Sequence, residues 1–270
     1  MAAESGSRAW GFASPESDFD VRFIYVHRPE FYLRLQGHRD VMEEPVDDTW
    51  DVGSWDLDKT LRLLWKSTPT LFEWSNSPIV YRKIDFCQRF QPLLEEYFSI
   101  KSELYHYLNT ARHHIKDFLQ GETVRPKKCF YALRPILACR WVLEQKSPPS
   151  VLFSAPVDAK LPARLLPSVD HLLDLKMHGP EKLEIPPIRE INREYGGACR
   201  CYDAAAGGVV PGLDAAESIL PGRSQSMTFA GCTWKKPTQP LVPWGCAGLY
   251  CLDLYASPQD QSASSTGFRL

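Results

Sequence analysis

The sequence predicts an α/β (α+β) fold with strands first, a helical region next and an irregular tail last. Three observations carry this. The run from Asp20 to Val26 (DVRFIYV) is β-branched and aromatic, which suits a buried strand. Ile100, Leu104, Leu108, Ala111, Ile115 and Leu119 step by three and four, the pattern of an amphipathic helix of about five turns. Beyond Tyr195 the charged residues thin from 54 of 195 to 10 of 75, and 10 of the 16 glycines follow that point.

In chain order, the strand over 20–26 is followed by an acidic stretch from Glu43 to Asp48 and a second strand around Trp50 to Val52. Gly53-Ser54 is expected to break that strand, with Ser54 capping the next helix. Leu57, Leu61, Leu64 and Trp65 recur at helical spacing. After the long helix over 100–119, a polar loop from Gln120 to Pro126 leads into another helix over 127–144, which Pro135 is expected to kink. So short a loop pairs the two helices antiparallel. Tryptophans 55, 65, 74 and 141 are expected in the core. No internal repeat is present.

Composition narrows the function classes. The 270 residues are 44% hydrophobic and 24% charged, ordinary for a globular chain and unlike collagen, coiled coil or full disorder. The net charge of -2 means that any contact with nucleic acid relies on a local patch. The N-terminus lacks a basic stretch leading into an apolar core, so no signal peptide is read there. The most apolar window, 241–256, is too short and contains Asp253. A soluble cytoplasmic protein without membrane contact is expected. Of eight cysteines, Cys199, Cys201, Cys232, Cys246 and Cys251 crowd into the tail without paired C-x-x-C knuckles. The tail, 196–270, is expected to have little order and receives no function.

The chemistry concentrates near the start. Glu4-Ser5-Gly6-Ser7-Arg8 opens a short helical turn, whose backbone N–H groups and hydroxyl suit a phosphate. Asp18 and Asp20 are two apart at the head of the strand, so both carboxylates point to one face. Paired carboxylates beside a phosphate-binding turn match a Mg²⁺-dependent phosphoryl or nucleotidyl transfer site, with Mn²⁺ as an alternative ion. A third carboxylate from a neighbouring strand completes such a set, and Asp51 is the first candidate. Asp56 comes second, because a place in the first helical turn already explains it. On the helix over 127–144, Lys127, Lys128, Tyr131 and Arg134 put basic groups beside an aromatic ring, suited to phosphate oxygens and a base. The same pattern also suits a solvated helix start with Tyr131 turned inward. Arg112, His113, His114 and Lys116 form a second basic cluster, in which Arg112 is a candidate phosphate or RNA contact. The two histidines are adjacent, hence on different sides of the helix, and do not read as joint metal ligands.

GSRAWGF followed four residues later by SDFDVRFIYV resembles the DNA polymerase β-like nucleotidyltransferase superfamily, whose mark is Gly-Ser followed by D-x-D. More narrowly it resembles the RlaP/YcgL type, associated with RNA repair. The resemblance continues through WDLDKTLRLLWKSTPTLFEWSNSPIVY (55–81) and KKCFYALRPILACRW (127–141) and covers residues 3–195. It implies a minimal nucleotidyltransferase mixed sheet, expected over 1–85, followed by a helical domain over 86–195, with the compositionally distinct tail over 196–270 outside it. It also implies that Ser7 meets the terminal phosphates of the nucleotide, that Asp18 and Asp20 bind Mg²⁺ and that Asp51 is the third carboxylate. Gly6 and Arg8 of the same turn, and Lys128, Tyr131 and Arg134 by their placing on the later helix, are further candidate nucleotide or phosphate contacts. The expected reaction moves a nucleoside monophosphate from an NTP to a hydroxyl, an RNA end among the acceptors. The family pattern carries a helix and a full strand before the Glu-Ser-Gly-Ser turn. Here only Met1-Ala2-Ala3 precede Glu4, so a truncated sheet lacking that strand is expected, with a catalytically silent nucleotide-binding or interaction protein as the alternative function.

Overall fold

The structure, a computed structural model, describes residues 1–35, 37–43, 49–180, 182–204, 226–229 and 232–235. Five strands form one mixed sheet: β1 (Ala2–Glu4), β2 (Phe19–Tyr25), β3 (Val41–Glu43), β4 (Trp50–Asp56) and β5 (Val80–Arg82), in the order β3-β4-β2-β1-β5. β2 runs parallel to β4 and antiparallel to β1, while β3 and β5 close the edges as antiparallel three-residue strands. Short edges of this kind offer little backbone for pairing with another chain.

Two expectations are corrected here. The three residues before Ser5 do form a strand: Ala2, Ala3 and Glu4 pair with Phe23, Arg22 and Val21. All three are buried, and two alanines are small enough to lie between β2 and β5 under packed helices. β2 therefore has a neighbour on each side. The second strand also passes straight through Gly53-Ser54 to Asp56. Ser54 exchanges hydrogen bonds with the backbone of Met42 on β3, and the cap of the following helix is Asp56, which accepts from Asp58 N at 2.8 Å. Glycine and serine end a strand only where no neighbour holds the backbone, and here β2 and β3 flank it.

Helix α1 (Gly6–Trp10) follows β1 directly. α2 (Pro29–Tyr32) lies in a separate compact unit, 26–38, where His27 stacks on Phe31 and its amide donates to the Tyr32 hydroxyl at 3.0 Å. α3 (Leu57–Trp65), α4 (Pro69–Ser75) and α5 (Asp85–Tyr97) bury Leu61, Leu64, Leu71, Phe72, Phe90, Leu94 and Tyr97 together with Ile24 of β2. Trp55 stacks on the buried Trp74, ring centres 3.7 Å apart, while Trp65 and Trp141 are half-buried.

The long helices α6 (Ile100–Phe118) and α7 (Pro126–Gln145) pack on one another, joined by α8 (Ser154–Lys160), α9 (Leu166–His178) and α10 (Arg189–Ala204). Pro135 sits inside α7 without ending it. Twelve residues of α7 are buried, and this helix forms the axis of the helical core. The expected boundary at 195/196 falls inside α10, whose Ile191 and Tyr195 are core residues; the Tyr195 hydroxyl donates to Cys129 O at 2.8 Å. Further on, β6 (Ser226–Phe229) and β7 (Cys232–Lys235) pair antiparallel. The rest of the expected tail, with Cys246 and Cys251, lies outside the described residues, as do residues 44–48 of the acidic stretch. No helix among the described residues is long and apolar enough to cross a membrane.

The sheet and the helical core meet at α1. Phe12, just past that helix, stacks on Phe130 of α7 and meets Phe153 edge-on, with ring centres 4.9 and 5.5 Å apart. The Phe153 amide donates to Trp10 O at 2.9 Å, and the buried Lys176 of α9 donates to Ser14 Oγ at 3.1 Å. The connection from α1 to β2 is thus clamped by helices on its far side.

Candidate active site

Asp20 is the second residue of β2 and Asp51 the second of β4, and the parallel register makes them direct partners. Asp18 stands just before β2. The three carboxylates singled out in the sequence therefore gather at the same ends of two adjacent strands. On the other side of β2, Glu4 of β1 is fully buried; one carboxylate oxygen accepts from Asp20 N at 2.8 Å, and the other accepts from the Tyr81 hydroxyl of β5. Glu4 ties three strands together at the root of the turn.

The turn itself is set by Gly6. Its φ is +59°, and the Ser5 amide donates to Asp20 O at 2.8 Å, which seats the first turn of α1 directly on β2. Ser7 is nearly buried in that turn. Arg8 turns away from it and holds the loop ahead of β2: Nε donates to Asp18 O at 3.0 Å, Nη2 to Ser17 O at 2.6 Å, and the guanidinium lies 3.7 Å from the Phe19 ring centre. Arg8 thereby fixes the backbone that presents Asp18.

Arg22 was not among the residues singled out, and neither were Glu4 and Tyr81. Its guanidinium lies between the paired carboxylates, with Nη2 2.6 Å from Asp51 Oδ2 and 3.2 Å from Asp20 Oδ1. A signal for it existed: D-x-D-x-R places Asp18, Asp20 and Arg22 on one strand face by the period of two. Glu4 had a weaker signal in its place next to Gly-Ser, and Tyr81 had none, because only the sheet order brings β5 beside β1.

Asp20 is raised to about 6: burial is the largest cause, the Arg22 guanidinium opposes it, and the charges of Asp18, Asp51 and Glu4 add to it. Burial raises Glu4 as well, opposed by the Tyr81 and Asp20 hydrogen bonds. Negative charge is thus crowded beyond what one arginine relieves. For a divalent cation, this donor set fits in kind, being hard carboxylate oxygens. Asp20 and Asp51 already converge on a positive charge. Among the described residues, however, no three His, Cys, Asp or Glu side chains converge on a single point.

The remaining nucleotide candidates divide. Arg134 is buried, bonded to Glu73 Oε1 at 3.0 Å and 4.4 Å from the Trp10 ring centre. It does not share an exposed face with Lys127 and Tyr131, because α4, α6 and α1 close over it. Tyr131 packs edge-on against Trp10, ring centres 5.6 Å apart, and against His114 at 5.3 Å. Lys128 Nζ lies 3.8 Å from the Phe118 ring centre. Arg112 is exposed, and His113 pairs with Asp117 at 3.0 Å. Trp10, at the end of the Gly-Ser helix, therefore links the carboxylate site to this half-buried aromatic and basic corner. Asp56, the second-ranked third carboxylate, is fully buried at its capping position and does not face Asp20 across the strands.

Known proteins match this chain over the same region. A relative in Bacillus subtilis (strain 168), the uncharacterized protein YcgL, is 45% identical over 182 residues, 67% of this chain and 70% of the relative. The model of RlaP, described as the RNA repair pathway DNA polymerase beta family, matches residues 1–198, which span β1 through most of α10. The chain belongs to the RlaP family of the DNA polymerase beta superfamily.

Proposed function

We propose that the chain is a Mg²⁺-dependent nucleotidyltransferase that moves a nucleoside monophosphate from an NTP to a hydroxyl acceptor, an RNA end in the first instance. The observation that supports this reading is the register pairing of Asp20 with Asp51 beside the Gly6-Ser7 turn. Asp18, Asp20 and Asp51 would hold the cation, which supplies charge neutralisation for the triphosphate and lowers the pKa of the attacking hydroxyl. The α1 N–H groups and Ser7 orient the terminal phosphates. Glu4, through the Asp20 amide, and Arg8, through the carbonyls of Ser17 and Asp18, keep the carboxylates in register. The acceptor hydroxyl loses its proton to solvent as its oxygen bonds to the α-phosphorus, the bond from that phosphorus to the α–β bridging oxygen breaks, and pyrophosphate leaves. Tyr131, packed against Trp10, and Lys128 beside the Tyr131 ring would meet a base or a strand end.

A second reading, a catalytically silent nucleotide-binding protein, is favoured by one observation: Arg22 already takes the carboxylate oxygens of Asp20 and Asp51. Incubating the full chain with labelled NTPs, Mg²⁺ and a pool of RNA oligonucleotides separates the two. Pyrophosphate release that Asp20→Ala abolishes, with the fold retained by circular dichroism, is the expected result. NTP binding without pyrophosphate release selects the silent reading, and MgATP binding undiminished in Asp20→Ala refutes the site.

A further inference from the structure

We propose that Arg22 is a tethered counter-ion of the carboxylate site, standing between Asp20 and Asp51 until a divalent cation displaces it. This rests on the reading of Asp18, Asp20 and Asp51 as metal ligands. Partners on adjacent strands sit about 4.8 Å apart, so two ionised carboxylates there repel unless positive charge lies between them. Arg22 brings that charge from the same strand and face as Asp20. Its Nη2 reaches both carboxylates, while Nη1 donates to Asp51 O at 2.6 Å, to Val21 O at 3.1 Å and to Asp51 Oδ1 at 3.2 Å.

The same oxygens are what a divalent cation requires. Asp51 commits both oxygens to the guanidinium and Asp20 commits Oδ1. Two cations do not share one such position, so binding of one releases the other. The Arg22 side chain is 18% exposed and has a path to solvent. An arginine suits this role better than a lysine, because its rigid fork spans two carboxylates at once. The guanidinium keeps the two strands' carboxylates ordered while the site is without metal, and it sets the metal concentration at which the site fills.

Mn²⁺ titration of the full chain, read by the electron paramagnetic resonance of the free aquo ion, tests this with wild type, Arg22→Gln, Arg22→Lys and Asp20→Asn. Arg22→Gln is expected to bind Mn²⁺ about tenfold more tightly, corresponding to about 1.4 kcal/mol, with Arg22→Lys between it and wild type. Unchanged or weaker binding in Arg22→Gln, while Asp20→Asn loses binding, overturns the role of Arg22 alone. If neither wild type nor Arg22→Gln binds, the metal reading falls and this inference with it. Should Arg22→Gln fail to fold, the wild-type guanidinium resonances of Arg22 decide during a Mg²⁺ titration. They are expected to shift in step with occupancy, and signals unmoved at saturation overturn the proposal.

Discussion

The carboxylate of Asp20 lies against the backbone of Gly6: a Cβ placed on Gly6 would stand 2.0 Å from Asp20 Oδ2 and 2.7 Å from its Cγ. Gly6 is needed twice over, since its φ of +59° is also a conformation that a side chain disfavours. Gly6→Ala therefore costs about 1–2 kcal/mol from the left-handed backbone and in addition pushes Asp20 off its register with Asp51. The variant is expected to melt lower and to bind divalent cations more weakly. Wild-type values in both measurements would refute the contact.

Tyr81→Phe tests the strand tie at Glu4. The phenol donates to one oxygen of a carboxylate with no solvent exposure, and nothing else in β5 replaces that donor. Leaving a buried acceptor without its partner costs about 1–3 kcal/mol, measurable as a lower urea midpoint. Losing this hydrogen bond also raises Glu4 further, because the bond is one of the effects holding it down. An unchanged midpoint would show that Glu4 is satisfied without Tyr81.

Asp18 and Asp20 are legible in the sequence because a strand's period of two is a local signal, whereas the pairing of Asp20 with Asp51 comes from the parallel register of β2 and β4, which local pattern does not give. Asp18, Asp20 and Asp51 all fall on recognisable strand patterns. The burial of Arg134 is not legible in the sequence, because residues spaced by three and four share a helix face whether or not another element covers it. Here Glu73 of α4 and Trp10 of α1 cover it, and both lie far away in sequence. β1 was missed for a related reason. Three residues are too few for a propensity signal, yet backbone pairing on both sides and small side chains suffice to make a strand in the middle of a sheet.

Arg134 and Lys128 should separate cleanly under substitution. Arg134→Ala leaves the Glu73 carboxylate in a buried site without its cation, a loss of about 3–5 kcal/mol. Lys128→Ala removes cation–π contacts with Phe118 and Tyr131 at the edge of the aromatic corner, each worth about 0.5–1 kcal/mol. Denaturant midpoints are expected to fall steeply for the first and slightly for the second. The Lys128 variant should instead weaken binding of a single-stranded RNA oligonucleotide, with a shallower salt dependence than wild type. Oligonucleotide binding untouched by Lys128→Ala would remove this residue from the nucleic-acid contact.

The buried acid Glu103 makes the stability of the helical core depend on pH. It has no exposed surface, neither carboxylate oxygen has a hydrogen-bond partner, and burial raises it well above the ordinary value of 4.5. Glu73 of α4 pushes it further up, and Arg134 of α7 pulls it down. Tyr107 and His106 of α6 also feel Glu73 and Arg134, and Cys139 of α7 feels Glu103 itself. Because the folded state keeps a proton that the unfolded state releases, stability is full below 4.5 and falls as pH rises toward the folded value. The slope reaches about 1.4 kcal/mol per pH unit for one proton. His106 acts with the opposite sign, since burial lowers it and the unfolded state takes up its proton first as pH falls. Comparing wild type with Glu103→Gln isolates the acid, because His106 is common to both. The Gln variant is expected to gain on wild type as pH rises above 5 in urea unfolding, and a difference that stays constant from pH 5 upward would show that Glu103 is ionised in the folded chain.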